Sequence, residues 1–182
     1  MEIVDTELRD VKLLKPKAFG DDRGFFMETW REDQFINQVA DFRFVQDNHS
    51  KSVQSVLRGL HYQIRHAQGK LVRVISGKVL DVAVDIRRHS REFGRWTSVV
   101  LSGENRHILW VPPGFAHGFY VLSPEAEFLY KCTDYYAPDY EKTIRWDDPA
   151  IGIDWSLIPG EKPLLSDKDA KGVLLQHAEV YP

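Results

Sequence analysis

The chain has 182 residues, 43% of them hydrophobic and 28% charged, which is an ordinary composition for a soluble globular protein. A chain of this length suits one domain, here residues 1–182, and can bury a core without disulfides. The formal net charge of −3 argues against nucleic acid as a partner, and no apolar run is long enough to cross a membrane.

The first third of the chain carries mixed secondary-structure signals. Val11–Leu14 is typical of a strand, and the run from Phe19 to Gly24 is typical of a turn. The run from Phe25 to Trp30 again indicates a strand, and Glu32 to Val39 has the apolar spacing of a short helix.

From residue 53 to residue 134 the pattern is β throughout. A strand over Leu71–Ile75 ends at a tight-turn signal, and the next strand alternates cleanly from Val79 to Ile86. In that strand one face carries Leu80, Val82, Val84 and Ile86, and the other carries Asp81, Ala83 and Asp85. Further strands are predicted at Trp96–Leu101, Ile108–Val111, Phe115–Leu122 and Phe128–Thr133.

These short strands with Gly/Pro turns predict an all-β fold, an antiparallel sandwich or jelly-roll barrel. Its β core covers about residues 45–135. The tail from Pro138 onward is rich in loops, with one short helix predicted from Asp167 to Lys171. We therefore expect irregular ends packed around a β core.

The cysteine count and the first residues bear on the compartment. The single cysteine, Cys132, excludes an internal disulfide and a cysteine-rich zinc site. The first ten residues lack the charged, apolar and small-residue pattern of a signal peptide. Both observations predict a cytoplasmic protein.

The segment Arg58-Gly-Leu-His61-Tyr-Gln63, followed by Lys70, carries the most chemical information. A histidine that titrates near neutral pH, beside a lysine that can hold negative charge, is suited to removing a proton next to a carbonyl. Strict alternation would put Arg58 and His61 on opposite faces, so a shared pocket requires a bulge, which Gly59 permits. A histidine merely satisfied by a neighbouring carboxylate remains the structural alternative.

A metal site at the same strand is a second possibility. β-Barrels of this kind often bind a divalent metal through a His-x-His pair, a later glutamate and a further histidine. Here Gln63 stands two positions after His61, and the next histidine in a strand context is His117. The ligand set is incomplete, and we predict no functional metal.

Other polar residues have a structural and a functional interpretation. Tyr130 shares a strand face with Phe128 and Cys132, where a tyrosine is usually core but could also deliver a proton. Asp169 lies in a charged patch that is typical of a solvated loop, yet its carboxylate could orient a histidine ring. The polar run Gln46–His49 more often caps a turn than binds a ligand.

Taken together, the motifs resemble the dTDP-4-dehydrorhamnose 3,5-epimerase family. The resemblance rests on eight collinear segments that cover nearly the whole chain: Phe19–Phe26, Val45–Lys51, Val56–Gln63, Ala67–Arg73, Asp81–Arg87, Pro113–Phe119, Glu127–Lys131 and Leu165–Ala170. It implies a cupin-type jelly roll and a homodimer. It also implies a cofactor-free epimerase that inverts C3 and C5 of dTDP-4-dehydro-6-deoxy-D-glucose.

The resemblance also assigns roles to residues. It implies that His61 is the general base paired with Asp169, that Tyr130 donates a proton from the opposite face, and that Lys70 lies near the keto oxygen. The implied contacts to nucleotide, diphosphate or sugar are Arg23, Glu28, Gln46, Asn48, Arg58, His117, Glu141 and Lys168. Asp47 is added from the same polar run, and Phe26 is a candidate platform for thymine. A partner subunit is expected to complete the site.

Three other functions stay open at this point. Relatives that epimerise a single carbon, or act on other keto sugars, share much of the pattern. A metal-dependent cupin oxygenase or isomerase is the second alternative. The third is a module that binds a sugar nucleotide without turnover.

Overall fold

The computed structural model describes residues 1–182 and consists mainly of antiparallel strands. Two short helices are α1 (Glu32–Gln38) and α2 (Asp167–Ala170). The strands are β1 (Glu2–Asp5), β2 (Lys12–Lys15), β3 (Ala18–Asp21), β4 (Gly24–Met27), β5 (Gln46–Val53), β6 (Leu57–Gln63), β7 (Lys70–Ser76), β8 (Lys78–Asp85), β9 (Trp96–Ser102), β10 (Ile108–Val111), β11 (Phe115–Val121), β12 (Glu125–Cys132) and β13 (Glu141–Thr143).

The strands form two facing sheets and a separate hairpin. One sheet has the order β1-β2-β10-β7-β12-β5, the other has the order β13-β6-β11-β8-β9, and β3 pairs only with β4. The two large sheets fit a jelly roll, which confirms the predicted fold class, although they do not join into one closed barrel. Non-consecutive strands are neighbours in both sheets, so distant segments of the chain meet in the interior.

Three apolar clusters hold the layers together. The largest lies between the sheets and contains Val72, Ala83 and Phe128. A second covers the outer face of the five-stranded sheet with side chains from the C-terminal tail, among them Trp155. In the third, Phe35 of α1 packs against the outer face of the six-stranded sheet. The tail is thus part of the core rather than an appendage.

Strand β8 shows why alternation predicted the faces correctly. Its even-numbered residues, such as Val82, pack under the C-terminal tail, and its odd-numbered residues point between the sheets. Because both faces are covered, Asp81 and Asp85 are fully buried. Each carboxylate is paired with a cationic or histidine partner, as burial of a charge requires.

The predicted helices are confirmed, and one local prediction is wrong. The run from Phe19 to Gly24 is predicted to be a turn, but its first three residues belong to β3 and Gly24 begins β4, so only Asp22 and Arg23 turn the chain. Phe19 pairs across the hairpin with Phe26, and this cross-strand register extends the β structure into the predicted turn. Strand β4 also ends at Met27, before the predicted end at Trp30.

Candidate active site

A cavity of about 370 Å³ opens between the two sheets. The five-stranded sheet lines it with Arg58, His61, His117 and Glu141, and the six-stranded sheet lines it with Gln46, Asn48, Lys70 and Tyr130. Lys168 reaches the cavity from α2. Nine of the fourteen residues singled out in the sequence therefore meet in one place.

A bulge in β6 brings Arg58 and His61 to the same cavity. In the pairing with β11, His61 lies opposite His117, but Arg58 lies opposite Phe119, so three residue steps on β6 match two on β11. Gly59 lies within this step with φ of +137°, a conformation that favours glycine. The bulge expected from the sequence is present.

His61 and Asp169 form a hydrogen-bonded pair. The His61 Nε2 atom lies 2.6 Å from Asp169 Oδ1, and the carboxylate side chain is only 3% exposed. Because an ionised carboxylate only accepts, Nε2 carries the hydrogen, which leaves the lone pair on Nδ1. His61 is thus presented as the neutral tautomer of a base.

The electrostatics of the pair favour a neutral histidine beside an ionised carboxylate. Burial lowers the pKa of His61, and the hydrogen bond to Asp169 opposes this. Burial by itself raises the pKa of Asp169, but hydrogen bonds from His61, Ser166 and Gly59 outweigh it and hold that pKa well below its usual range. At neutral pH the imidazole can accept a proton, and the carboxylate can stabilise the imidazolium that forms.

Lys70 places a cationic group on the opposite sheet. Burial lowers the pKa of Lys70, while Cys132, Glu141 and Asp81 act against this shift through their charges. Glu141 is paired with Lys168 at 2.8 Å and Asp81 with His117 at 2.8 Å, so each of these carboxylates has a closer partner. The Lys70 side chain is therefore available to an oxygen of a ligand.

Tyr130 lies on the sheet that faces His61. It comes from β12, whereas His61 comes from β6, and both side chains line the cavity. Burial raises the pKa of Tyr130, and the nearby Arg58 acts in the opposite sense. The phenol therefore stays protonated at neutral pH and can act as an acid across the cavity from the base.

The rim of the cavity is held by charged and polar contacts. Lys168 donates to Glu141 Oε1 at 2.8 Å, and the Tyr136 hydroxyl donates to Glu141 Oε2 at 3.0 Å. Arg58 Nε donates to Ser52 at 3.1 Å, which leaves the rest of its guanidinium for a ligand. Two cations and an aromatic ring thus surround the entrance.

Asp47 does not line the cavity, in contrast to the sequence assignment. On β5 the side chains of Gln46 and Asn48 face the interior, so Asp47 between them faces outward. There it pairs with Lys131 at 2.9 Å, and its side chain is 70% exposed. The alternation of side chains along a strand predicts that Asp47 faces away from Gln46 and Asn48. The sequence assignment grouped all three because they are adjacent polar residues.

Arg23, Phe26 and Glu28 are also absent from the cavity lining. Arg23 and Phe26 lie on the β3–β4 hairpin and Glu28 follows it, and all three are exposed. Arg23 forms a local ion pair with Asp21 at 2.5 Å. Within one chain these residues and the cavity remain separate.

Sequence reasoning missed several cavity residues. Tyr136 lines the entrance with a half-exposed ring, and Gln68 and Ser50 also line the cavity. Asp81 holds His117 from behind, and its second carboxylate oxygen has no hydrogen-bond partner. Tyr136 lies in a loop, where no alternation of side chains predicts which residues face the cavity. Its position soon after Tyr130 in the sequence was the only indication of a role.

Metal-binding groups and membrane-spanning helices bear on the alternative functions. No group of three or more His, Cys, Asp or Glu side chains is arranged to hold a metal ion. None of the helices has the length and apolar character needed to span a membrane.

Comparison with known proteins places the geometry in context. A family profile described as dTDP-4-dehydrorhamnose 3,5-epimerase matches residues 5–177. A protein of that name from Pseudomonas aeruginosa is 52% identical over 183 residues, covering 100% of both chains. One from Neisseria gonorrhoeae is 58% identical over 179 residues, and the chain spans 54% of its length.

Solved structures give the same picture. A dTDP-6-deoxy-D-glucose-3,5-epimerase from Legionella pneumophila, in complex with dTDP-4-keto-L-rhamnose, matches with a TM-score of 0.95 and 51% identity, covering 98% of this chain and 94% of that chain. A 3′-monoepimerase from Streptomyces bikiniensis, in complex with dTDP-quinovose, matches with a TM-score of 0.88 and 32% identity, covering 94% and 87%. Both share the fold, and the sequence identity is higher to the 3,5-epimerase.

Proposed function

Because the chain belongs to the dTDP-4-dehydrorhamnose 3,5-epimerase family, we propose that it converts dTDP-4-dehydro-6-deoxy-D-glucose to dTDP-4-dehydro-L-rhamnose by inverting C3 and C5. One observation carries the proposal above the others. His61, which is hydrogen-bonded to Asp169, and Tyr130 line a single cavity from opposite sheets. A base on one face and an acid on the other are what an inversion next to a ketone requires.

Proton removal is the first step. The C4 ketone of the substrate acidifies the hydrogens on C3 and C5, and His61 Nδ1 accepts one of them. The electron pair of the broken C–H bond forms an enolate with its charge on the C4 oxygen. Asp169, 2.6 Å from Nε2, stabilises the imidazolium.

The enolate charge is met by Lys70. A preorganised ammonium beside the developing oxyanion stabilises it more than it stabilises the neutral ketone. His117 lies opposite His61 in the strand pairing and lines the same cavity. Its ring is held by Asp81 at 2.8 Å and adds a second fixed polar group.

Reprotonation completes each inversion. Tyr130 donates its phenolic hydrogen to the carbon from the face opposite His61, and the enolate collapses to the ketone. The resulting phenolate is reprotonated from solvent, and His61 releases its proton to solvent. Arg58, which acts on Tyr130 through its charge, stabilises the phenolate while it exists.

The nucleotide diphosphate fits the entrance. Arg58 and Lys168 supply positive charge there, and an arginine fork binds phosphate oxygens in pairs. The half-exposed ring of Tyr136 at the same entrance is a platform for thymine within this chain. Phe26, the platform suggested by the sequence, lies on the hairpin and is 72% exposed. It could stack on thymine only if the hairpin packed against the cavity of another copy.

The isolated hairpin supports a homodimer in which a second copy completes the site. Phe25 and Phe26 are exposed on a two-stranded ribbon that pairs with neither sheet. Exposed aromatic residues next to a cation are typical of a contact surface. On this proposal Arg23, Phe26 and Glu28 of one copy reach the cavity of the other and add to its diphosphate site.

Mixing two inactive variants tests the homodimer. Arg23→Ala and His61→Asn proteins, each with low activity alone, are co-refolded in equal amounts. If the site is shared, half of the dimers are mixed and each has one intact site, so about a quarter of the wild-type activity returns. No recovery, or full activity of the Arg23→Ala protein alone, would show that Arg23 does not act across subunits.

The tail supports a single working domain over residues 1–182, since α2 supplies Asp169 and Lys168 to a site built mainly by the β core. A cytoplasmic location belongs to the same proposal. The buried thiol of Cys132 is free and forms no disulfide, which fits a reducing compartment.

Exchange with heavy water tests the reaction itself. The keto sugar is incubated with the protein in deuterated water, and NMR reads the label at each carbon. We expect deuterium at C3 and C5 with formation of the L-rhamno product. Label at C3 alone would indicate a single-carbon epimerase like the Streptomyces relative, and no label at either carbon, despite binding of dTDP, would leave only a binding module.

A further inference from the structure

Asp169, whose carboxylate holds His61, lies in the first turn of α2, and that carboxylate is also part of the capping box of the helix. Ser166 is the N-cap residue, and its hydroxyl accepts a hydrogen bond from the backbone N–H of Asp169 at 3.2 Å. The same hydroxyl donates to Asp169 Oδ2 at 2.5 Å. The backbone N–H of Ser166 approaches Oδ2 at 3.4 Å, which closes a capping box.

The two carboxylate oxygens of Asp169 have separate partners. Oδ1 accepts from His61 Nε2 at 2.6 Å and from the backbone N–H of Gly59 at 3.1 Å. Oδ2 is held from the other side by Ser166. A carboxylate rotates readily about its last torsion, so fixing both oxygens fixes the plane in which Oδ1 meets the imidazole.

The backbone on both sides of Ser166 and Asp169 is anchored to the sheet region. Before the helix, Leu164 forms a parallel bridge with Val56, and Leu57 N–H donates to the Leu164 carbonyl at 3.0 Å. After it, Val173 bridges to Ile144. With the backbone fixed at both ends, the remaining freedom is the rotamer of Asp169, which the Ser166 hydroxyl restricts.

We propose that Ser166 is a positioning residue for the epimerase reaction, whose hydroxyl holds Asp169 Oδ2 so that Oδ1 stays directed at His61. Ser166 lies outside the cavity lining and acts through Asp169. The inference rests on the proposed function for its kinetic consequence only. Its structural consequence, the orientation of the His61–Asp169 pair, is measurable in the free protein.

The competing role is that of a helix cap alone, and substitutions separate the two. Glycine at an N-cap costs only a few tenths of a kcal/mol relative to serine, whereas alanine costs typically about 1 kcal/mol. Ser166→Gly therefore preserves most of the cap but removes the hydroxyl, and Ser166→Ala removes both. Ser166→Thr preserves both, and the exposed position has room for a methyl group.

We expect kcat to depend on the presence of the Ser166 hydroxyl and not on how well the residue caps the helix. Ser166→Gly and Ser166→Ala should both lower kcat for solvent exchange about tenfold, since small losses of orientation at a reacting group are costly. KM should stay near the wild-type value, and Ser166→Thr should restore kcat. A kcat that is normal in the glycine variant and reduced only in the alanine variant, in parallel with Tm, would overturn the proposal.

Titration of His61 by NMR in the ligand-free protein gives an independent readout. The charged groups around His61 are Asp169 and Lys168 from α2, Lys70 from β7 and Glu141 from β13. Asp169 raises the pKa of His61 against burial, so a loosened pair should let that pKa fall in the glycine and alanine variants. An unchanged pKa would contradict positioning. A rise in the His61 pKa would also contradict positioning. It would mean that the Ser166 hydroxyl only lowers the basicity of the Asp169 carboxylate.

This titration separates failure of the inference from failure of the proposed function. If the wild-type protein exchanged no label into the keto sugar, the reaction would be wrong, yet the His61 titration would still report on the role of Ser166. If exchange is normal and the His61 pKa does not fall in the glycine and alanine variants, only the inference fails.

Discussion

His61→Asn is expected to lower deuterium exchange at both C3 and C5 about 10³-fold, within the range that general base catalysis contributes. The Gly59 N–H and the Ser166 hydroxyl still donate to Asp169, so the buried carboxylate keeps partners and the fold accommodates the asparagine amide. It has no basic nitrogen, however, and cannot accept the proton. Exchange at both carbons is measured by NMR in deuterated water under single-turnover conditions.

The chain offers a matched control for this substitution. His66 also pairs with a carboxylate, Asp134, at 3.3 Å, but both side chains are exposed and His66 does not line the cavity. His66→Asn should therefore exchange label at the wild-type rate. Binding of dTDP should be unaffected in both variants, because neither histidine is needed for the diphosphate. Exchange by His61→Asn at more than a tenth of the wild-type rate would exclude His61 as the base.

Tyr130→Phe is expected to separate proton removal from inversion. His61 can still remove a proton and return one from solvent to the same face, so deuterium enters the substrate without inversion. Formation of the inverted product should fall about 10²- to 10³-fold, as loss of a general acid does. The measurement compares deuterium in recovered substrate with the amount of L-rhamno product at equal times.

Tyr135→Phe is the control for the second prediction. Tyr135 is 65% exposed and lies outside the cavity, so removal of its hydroxyl should change neither exchange nor inversion. If the Tyr130→Phe protein inverted both carbons at the wild-type rate, another acid would have to supply the proton. Loss of exchange and inversion in equal measure would instead assign Tyr130 to the first step.

Much of the fold could be predicted because strand period is a local property. The alternation in β8 correctly separated the face with Val82 from the face with Asp81. The same rule would have placed Asp47 outside the cavity. The helix α1 and the turn between β7 and β8 were likewise predicted from residues that are neighbours in the chain.

The candidate site was only partly accessible to such reasoning. From the residues alone, His61 was equally compatible with a structural role, and only the collinear motifs gave it a partner. That partner, Asp169, lies 108 positions further along the chain. Contacts over such separations depend on which strands become neighbours, and no local pattern encodes them.

The sequence by itself determined an all-β protein, the faces of its strands, and the resemblance that assigned a base, an acid and a lysine. Only the tertiary structure decided that His61 and Tyr130 lie on facing sheets, that Asp169 reaches His61 from the tail, and that the hairpin carrying Arg23 stands apart from the cavity. The physical reason is that alternation is set by the backbone of one strand. Two side chains such as His61 and Tyr130 face each other across a cavity only when two sheets pack together to bury their shared apolar core.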